Sequence, residues 1–210
     1  MPDFRYEYEN GAPERAVAGL DEVGRGPIAG PVVAACVVFP HDLPLSLQSM
    51  IDDSKKLSPM RRLSAFQALT GGVCHFGVGA ASVREIEALN VGKASHLAMR
   101  RAMKRLPFLP HIALVDGKAR VDLPCEVRMI IKGDQLSLSI AAASIIAKVT
   151  RDHLMAKLAR RYKAYGWERN AGYGTATHLQ ALKSAGVCRH HRRGFAPVSA
   201  MLAQAGCLGA

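Results

Sequence analysis

Residues 32–39 read Val32-Val33-Ala34-Ala35-Cys36-Val37-Val38-Phe39, an unbroken apolar run rich in β-branched side chains. A run of this kind suits a strand covered on both faces, so the chain needs a sheet with a layer on either side. Residues 16–20 form a shorter apolar stretch just upstream. The link Glu22-Val23-Gly24-Arg25-Gly26-Pro27 between the two is too small for a helical crossover. The two strands are therefore expected to pair antiparallel.

Further elements follow from local signals. Ser58-Pro59 opens a helix reaching to about residue 69, with a serine cap and a proline in the first turn. Residues 75–81 read as a third strand, and Ser82 caps a helical stretch that runs to about 106 with a break at Asn90-Val91-Gly92. Two short apolar strands, 112–115 and 127–131, end at Asp116-Gly117 and at Lys132-Gly133-Asp134. The longest helix spans about 137–162; its first half is small and apolar, its second half basic. The pattern predicts an α/β fold, a mixed sheet flanked by helices. Residues 1–14 read as an N-terminal tail, 15–165 as the core and 166–210 as a small helical C-terminal subdomain.

The formal net charge is +11, and from Arg151 onward ten Lys and Arg face only Asp152 and Glu168. A basic surface on a folded domain attracts polyanions, nucleic acid first; plain solubility charge is the bland alternative. With 49% hydrophobic residues the chain is not a disordered linker, and five scattered cysteines do not make a disulfide scaffold. No stretch supplies the ~18 uninterrupted apolar residues of a membrane span. The first ten residues, with Asp3, Glu7 and Glu9, do not resemble a signal peptide, so the expected address is the cytoplasm.

Several motifs fail on inspection. Gly24-Arg25-Gly26 lacks the lysine and hydroxyl of a phosphate loop, and it precedes a strand where a dinucleotide fingerprint must open a helix. Cys188, His190 and His191 offer at most half a zinc site, and these histidines read more simply as part of a basic surface with Arg189, Arg192 and Arg193. The carboxylates resist such dismissal. Asp21-Glu22, Asp116 and Asp134 stand at three separate strand ends. On adjacent strands ~4.8 Å apart, a pair of carboxylates repels by about 3 kcal/mol at an effective dielectric of ~20. Arg25 or a divalent cation would relieve the repulsion, and an all-oxygen donor set favours Mg²⁺ or Mn²⁺. Together with a polyanion-binding surface, this suggests phosphodiester hydrolysis by two metals, with structural turns and salt bridges as the other reading. Asp21 and Glu22 share one site only if the strand bends there. Asp152 lies about 25 Å along a helix from Asp134 and is expected to pair with a nearby Arg or Lys.

In the order of its motifs the chain resembles the type 2 ribonucleases H, specifically the bacterial ribonuclease HII branch. The resemblance rests on Gly19-Leu20-Asp21-Glu22-Val23-Gly24-Arg25-Gly26-Pro27, Asp53-Ser54-Lys55-Lys56-Leu57, Val115-Asp116-Gly117, Lys132-Gly133-Asp134, the segment 141–152, Gly172-Tyr173-Gly174-Thr175 and His191-Arg192-Arg193-Gly194-Phe195. It implies a ribonuclease-H-like fold with Asp21, Glu22, Asp116 and Asp134 as the catalytic, metal-binding carboxylates. It implies cleavage of the RNA strand of RNA–DNA hybrids and cutting at ribonucleotides embedded in duplex DNA, leaving 3′-hydroxyl and 5′-phosphate ends. Gly24, Arg25 and Gly26 would meet the ribose 2′-hydroxyl through their backbone, and Tyr173 would stack on the neighbouring deoxyribose. Lys55 and Lys56 would hold phosphates, and the basic tail the other strand. A monomer that engages no membrane is expected. Gly194 replaces the family's usual Ser, and no aromatic clamp-binding peptide precedes Ala210. A DNA-directed nuclease of the same fold and a non-catalytic RNA-binding module are the rival readings.

Overall fold

In the computed structural model, which describes residues 1–207, five strands form one mixed sheet in the order β3-β2-β1-β4-β5. These are β1 (Val17–Val23), β2 (Val32–Val38), β3 (His75–Ala81), β4 (Ile112–Asp116) and β5 (Glu126–Ile130). The pairs β1/β2 and β2/β3 are antiparallel, whereas β4 runs parallel to both β1 and β5. The helices are α1 (Arg5–Glu9), α2 (Leu45–Gln48), α3 (Pro59–Ala68), α4 (Val83–Leu89), α5 (Val91–Met103), α6 (Leu138–Arg161), α7 (Trp167–Asn170), α8 (Ala176–Ala185) and α9 (Ala196–Cys207). The C-terminal end, on which the sequence was read for a clamp-binding peptide, lies outside the described residues.

The apolar run of β2 is buried on both faces because alternate side chains serve different layers. Val32, Ala34, Cys36 and Val38 pack with Ala94, Ala98, Met99 and Ala102 of α5, while Ala35 and Val37 pack with Leu138, Ala141, Ala142 and Ile145 of α6. Small residues let α6 lie close to the sheet. At Gly19 an added Cβ would fall 2.2 Å from the Ser139 carbonyl carbon and 2.3 Å from Ile140 N, so this strand and this helix meet backbone to backbone. Local signals set the helix ends. Ser58 accepts from Arg61 N–H, Ser82 and Glu85 form a reciprocal capping box, and Asn90, at φ 67°, both ends α4 and caps α5.

Two expectations need correction. The first strand does not stop at residue 20; it pairs with β2 as far as Val23↔Val33, so Asp21 and Glu22 lie within it. Sheet hydrogen bonds along the long β2 template outweigh the low strand propensity of two acids. Residues 1–14, read as a tail, are docked. Phe4 joins the core beneath α6, and Glu7 accepts hydrogen bonds from Ser137 Oγ (2.6 Å), Ser139 N (2.8 Å) and Ser139 Oγ (2.6 Å) at the start of α6. A carboxylate at that position satisfies orphan N–H groups and suits the helix dipole. Beyond α6, Trp167, Leu182 and Val198 pack on Met155, Ala159 and Ile28. Among the described residues no helix is long and apolar enough to cross a membrane.

Candidate active site

Strand register places the acids. Leu20 pairs with Val115 across the parallel β1/β4 ladder, which brings the next residues, Asp21 and Asp116, side by side. Asp134 stands in a single 3₁₀ turn, Gly133–Gln135, entered through Lys132 in the left-handed conformation (φ 56°). Asp116 Oδ1 accepts the Gly133 N–H at 2.7 Å and so ties the end of β4 to the turn that carries Asp134. Asp21 is 8% exposed, and its Oδ1 accepts the N–H of Glu22 at 2.7 Å. Glu22 turns toward the loop after β1, where Arg25 Nη1 approaches its Oε1 at 3.1 Å.

The electrostatics show that these groups feel one another. Burial first, then the charges of Glu22, Asp116 and Asp134, push the Asp21 carboxyl well above the usual carboxylate range. Burial also raises Glu22, with Arg25 opposing, and raises Asp134, reinforced by Asp116 and Asp53 and opposed by Lys55 and Lys56. Lys55 Nζ lies 3.9 Å from Asp134 Oδ2. Partial burial works against its charge, but Asp134, Asp53, Asp21 and Asp116 outweigh that and raise its pKa. Among the described residues no three acids, histidines or cysteines close into a ligating group; the oxygens point to Arg25, Lys55 and backbone N–H groups instead. What the fold does create is a partly buried concentration of negative charge on hard oxygen donors. The two basic side chains beside it are largely in solvent, Lys55 being 81% exposed. Such a donor set fits a divalent Mg²⁺ or Mn²⁺ ion.

The other candidate residues divide into those beside the acids and those away from them. Gly24 and Gly26 flank Arg25 directly after β1, and an added Cβ at Gly26 would lie 3.5 Å from Tyr173 Cε1, so the loop and the half-exposed Tyr173 are neighbours. Lys55 faces Asp134, whereas Lys56 pairs with Asp52 at 3.8 Å. Asp152 is held by Lys148 at 2.7 Å, as its place along the helix suggested. Around Gly194 an added Cβ would meet nothing within 4 Å, so a Ser there is tolerated sterically.

Sequence reasoning gave no task to several residues that the fold places here. Asp53, buried, accepts from Lys55 N at 2.9 Å and from Gln135 Nε2 at 3.3 Å, linking the lysine block to the turn of Asp134. Its position two residues before Lys55 was the available signal. His191 and Arg192, read as surface residues, are buried instead. The reason is local: His191 Nδ1 accepts from Cys188 N–H (3.0 Å), so its Nε2 carries the proton and faces His178 Nε2 at 3.1 Å. His178 in turn donates from Nδ1 to the Tyr173 carbonyl at 2.8 Å and accepts at Nε2 from Trp167 Nε1–H at 3.0 Å, an arrangement that fits two neutral rings. Burial, then the neighbouring His178, pushes His191 down to about 4.

A family model described as Ribonuclease HII matches residues 18–198. The chain is 58% identical to the ribonuclease HII of Gluconobacter oxydans over 96% of its own length and 97% of the relative's. Among solved structures it is similar to the ribonuclease H2 of Pyrococcus horikoshii, with TM-score 0.76 and 26% identity over 90% of this chain and 97% of that one. It shares its fold with Bst-RNase HIII solved in complex with Mn²⁺, at TM-score 0.69 and 20% identity over 93% of this chain and 72% of that one. A sheet that gathers acids at the ends of β1 and β4, matched by a family model across almost all the chain, places the protein in the ribonuclease HII family, whose members are ribonucleases H that cut the RNA of RNA–DNA hybrids endonucleolytically.

Proposed function

We propose that the protein also incises duplex DNA at single embedded ribonucleotides, leaving 3′-hydroxyl and 5′-phosphate ends, as the opening step of ribonucleotide excision repair. One observation carries the reading: Asp21, Glu22, Asp116 and Asp134, of which Asp21 and Asp134 are buried, feel one another's charge and adjoin the Gly24-Arg25-Gly26 loop, which itself abuts Tyr173. Asp21, Glu22, Asp116 and Asp134 would hold two Mg²⁺ or Mn²⁺ ions. When bound, such ions make water a competent nucleophile near neutral pH and stabilise charge on the leaving oxygen.

The chain's own residues do the rest. Arg25 and Lys55 stand at the rim of the acids, where they draw a phosphate toward a site whose charge would otherwise repel it. The exposed backbone of Arg25 and Gly26 offers N–H groups to the ribose 2′-hydroxyl, the group that distinguishes RNA from DNA. The Tyr173 ring beside Gly26 would stack on the next sugar, a surface that disfavours an extra hydroxyl there. Lys56 and the exposed Arg169, Lys183, Arg189 and Arg193 hold phosphates of both strands. The enzyme would act as a monomer in the cytoplasm.

The test is a labelled duplex with one ribonucleotide, compared with a long hybrid and an all-DNA duplex, with Mg²⁺, Mn²⁺ or EDTA. Cutting of the first two, only with metal, is expected. Equal cutting of all-DNA duplex would instead identify a DNA-directed nuclease, and binding without product would identify a non-catalytic module.

A further inference from the structure

Arg151 and Arg192 are both 0% exposed, and neither forms an ion pair among the described residues. A buried guanidinium without an anion persists only if other acceptors satisfy its N–H groups. Backbone carbonyls do so here. Arg192 donates to Gly24 O (2.6 Å), to Arg25 O (2.9 Å) and twice to Gly30 O (2.8 and 3.0 Å). Arg151 donates to Pro31 O (2.9 Å), Ala29 O (3.1 Å) and Ala171 O (2.8 Å). All these acceptors except Ala171 belong to the loop between β1 and β2.

Arg151, together with two backbone hydrogen bonds, joins that loop to the Tyr173 loop. Ile28 and Ala29 donate to Gly172 O at 2.9 and 3.2 Å, and Arg151 holds the preceding Ala171 carbonyl. Gly24, at φ 96°, is pressed onto Arg151: an added Cβ would fall 2.2 Å from Nε. Its glycine therefore serves the buried arginine behind the loop, whereas Gly26 faces Tyr173 in front of it. A neutral plug could fill this space at lower electrostatic cost. Only the multi-donor guanidinium fork turns several carbonyls inward at once. With those carbonyls engaged, the N–H groups of Arg25 and Gly26 have no acceptor among the described residues, and both residues are exposed.

We propose that Arg192 and Arg151 are positioning residues for ribose discrimination: they set the backbone of residues 24–31 so that the Arg25 and Gly26 N–H groups, and Tyr173 beside them, face the substrate at a fixed spacing. The inference rests on the ribonucleotide-directed reading above. It makes the C-terminal piece, which supplies Arg192, part of the specificity apparatus.

The test compares Arg192→Lys and Arg151→Lys with the unmodified protein. Lysine keeps the charge but not the fork. A long hybrid offers many riboses in many registers, so misplaced N–H groups are tolerated there, whereas a lone ribonucleotide offers one. The ratio of kcat/KM on the single-ribonucleotide duplex to that on the long hybrid should fall at least tenfold; loss of folded protein would lower both values equally. An unchanged ratio in folded variants overturns the inference alone. Failure of the unmodified protein to cut the single-ribonucleotide duplex overturns the functional reading, and the inference with it. If the variants do not fold, residue-resolved hydrogen exchange of the unmodified protein in EDTA decides. Arg25 and Gly26 should exchange fast when free and slow on adding the ribonucleotide-containing duplex but not all-DNA duplex. No slowing overturns the proposal.

Discussion

Replacing Asp21 by Asn should stabilise the metal-free protein while abolishing cleavage. Asp21 adjoins Asp116 on the neighbouring strand, a separation of ~4.8 Å, and one such pair repels by about 3 kcal/mol at an effective dielectric of ~20. Arg25 and Lys55 return part of this, which leaves a net relief of about 1–3 kcal/mol. Asparagine keeps an Oδ1 to accept the Glu22 N–H, and its amide N–H groups face carboxylates able to accept them. For a domain of this length, roughly 2–4 °C per kcal/mol applies, so the melting temperature in EDTA should rise by about 2–12 °C. The pH dependence has a definite sign. The folded protein holds the protons of Asp21, Glu22 and Asp134 more tightly than the unfolded chain does, so stability falls as pH rises from the ordinary carboxylate range through the raised folded values. Millimolar Mg²⁺ or Mn²⁺ should offset that loss in the unmodified protein and much less in Asp21→Asn. The assay is thermal melting by circular dichroism at pH 5 and 7.5, in EDTA and in each metal. A melting point for metal-free Asp21→Asn at or below that of the unmodified protein would refute the picture of a strained, cation-seeking cluster.

Gly19→Ala forces β1 away from α6 and should cost about 1–3 kcal/mol, seen as a lower denaturation midpoint, with activity reduced because Asp21 rides on the same strand. Glu7→Ala removes the acceptor shared by Ser137 and Ser139 and should destabilise by about 2 kcal/mol; Glu7→Gln, which keeps one acceptor oxygen, should cost less, and equal losses in a urea titration would argue against the capping role. Tyr173 is 46% exposed, so Tyr173→Ala should leave the melting temperature nearly unchanged while lowering incision at a lone ribonucleotide; full activity on that duplex would remove the residue from the site. Asp152→Asn breaks only a partly exposed i,i+4 pair with Lys148 and should shift stability by less than about 0.5 kcal/mol with cleavage intact.

Much of the fold is legible where one physical requirement dominates. The apolar run of β2 demanded two covering layers, and the small residues of α6 announced close packing. The breaks at Ser58, Ser82 and Asn90 are capping chemistry, written in a few adjacent residues. The acids could be nominated because each stands beside an apolar strand, but the end of β1 was misread: a charged pair lowers strand propensity locally, while the β2 partner supplies hydrogen bonds that local reading does not contain. Glu7 was hidden for a similar reason. Its partners, Ser137 and Ser139, are remote in sequence, and nothing in a short polar segment states that it will cap a distant helix.

By itself the sequence determined the layers, the helix limits and the identity of the charged groups, because these depend on side-chain polarity and spacing within a few turns of chain. Tertiary structure alone decided which charges meet. The parallel register of β1 and β4 sets Asp21 beside Asp116, and burial converts Arg192 from an apparent surface cation into a brace on the loop after β1. Both outcomes depend on distances between segments far apart along the chain, and electrostatic and hydrogen-bond energies are fixed by those distances and by the exclusion of water, not by composition.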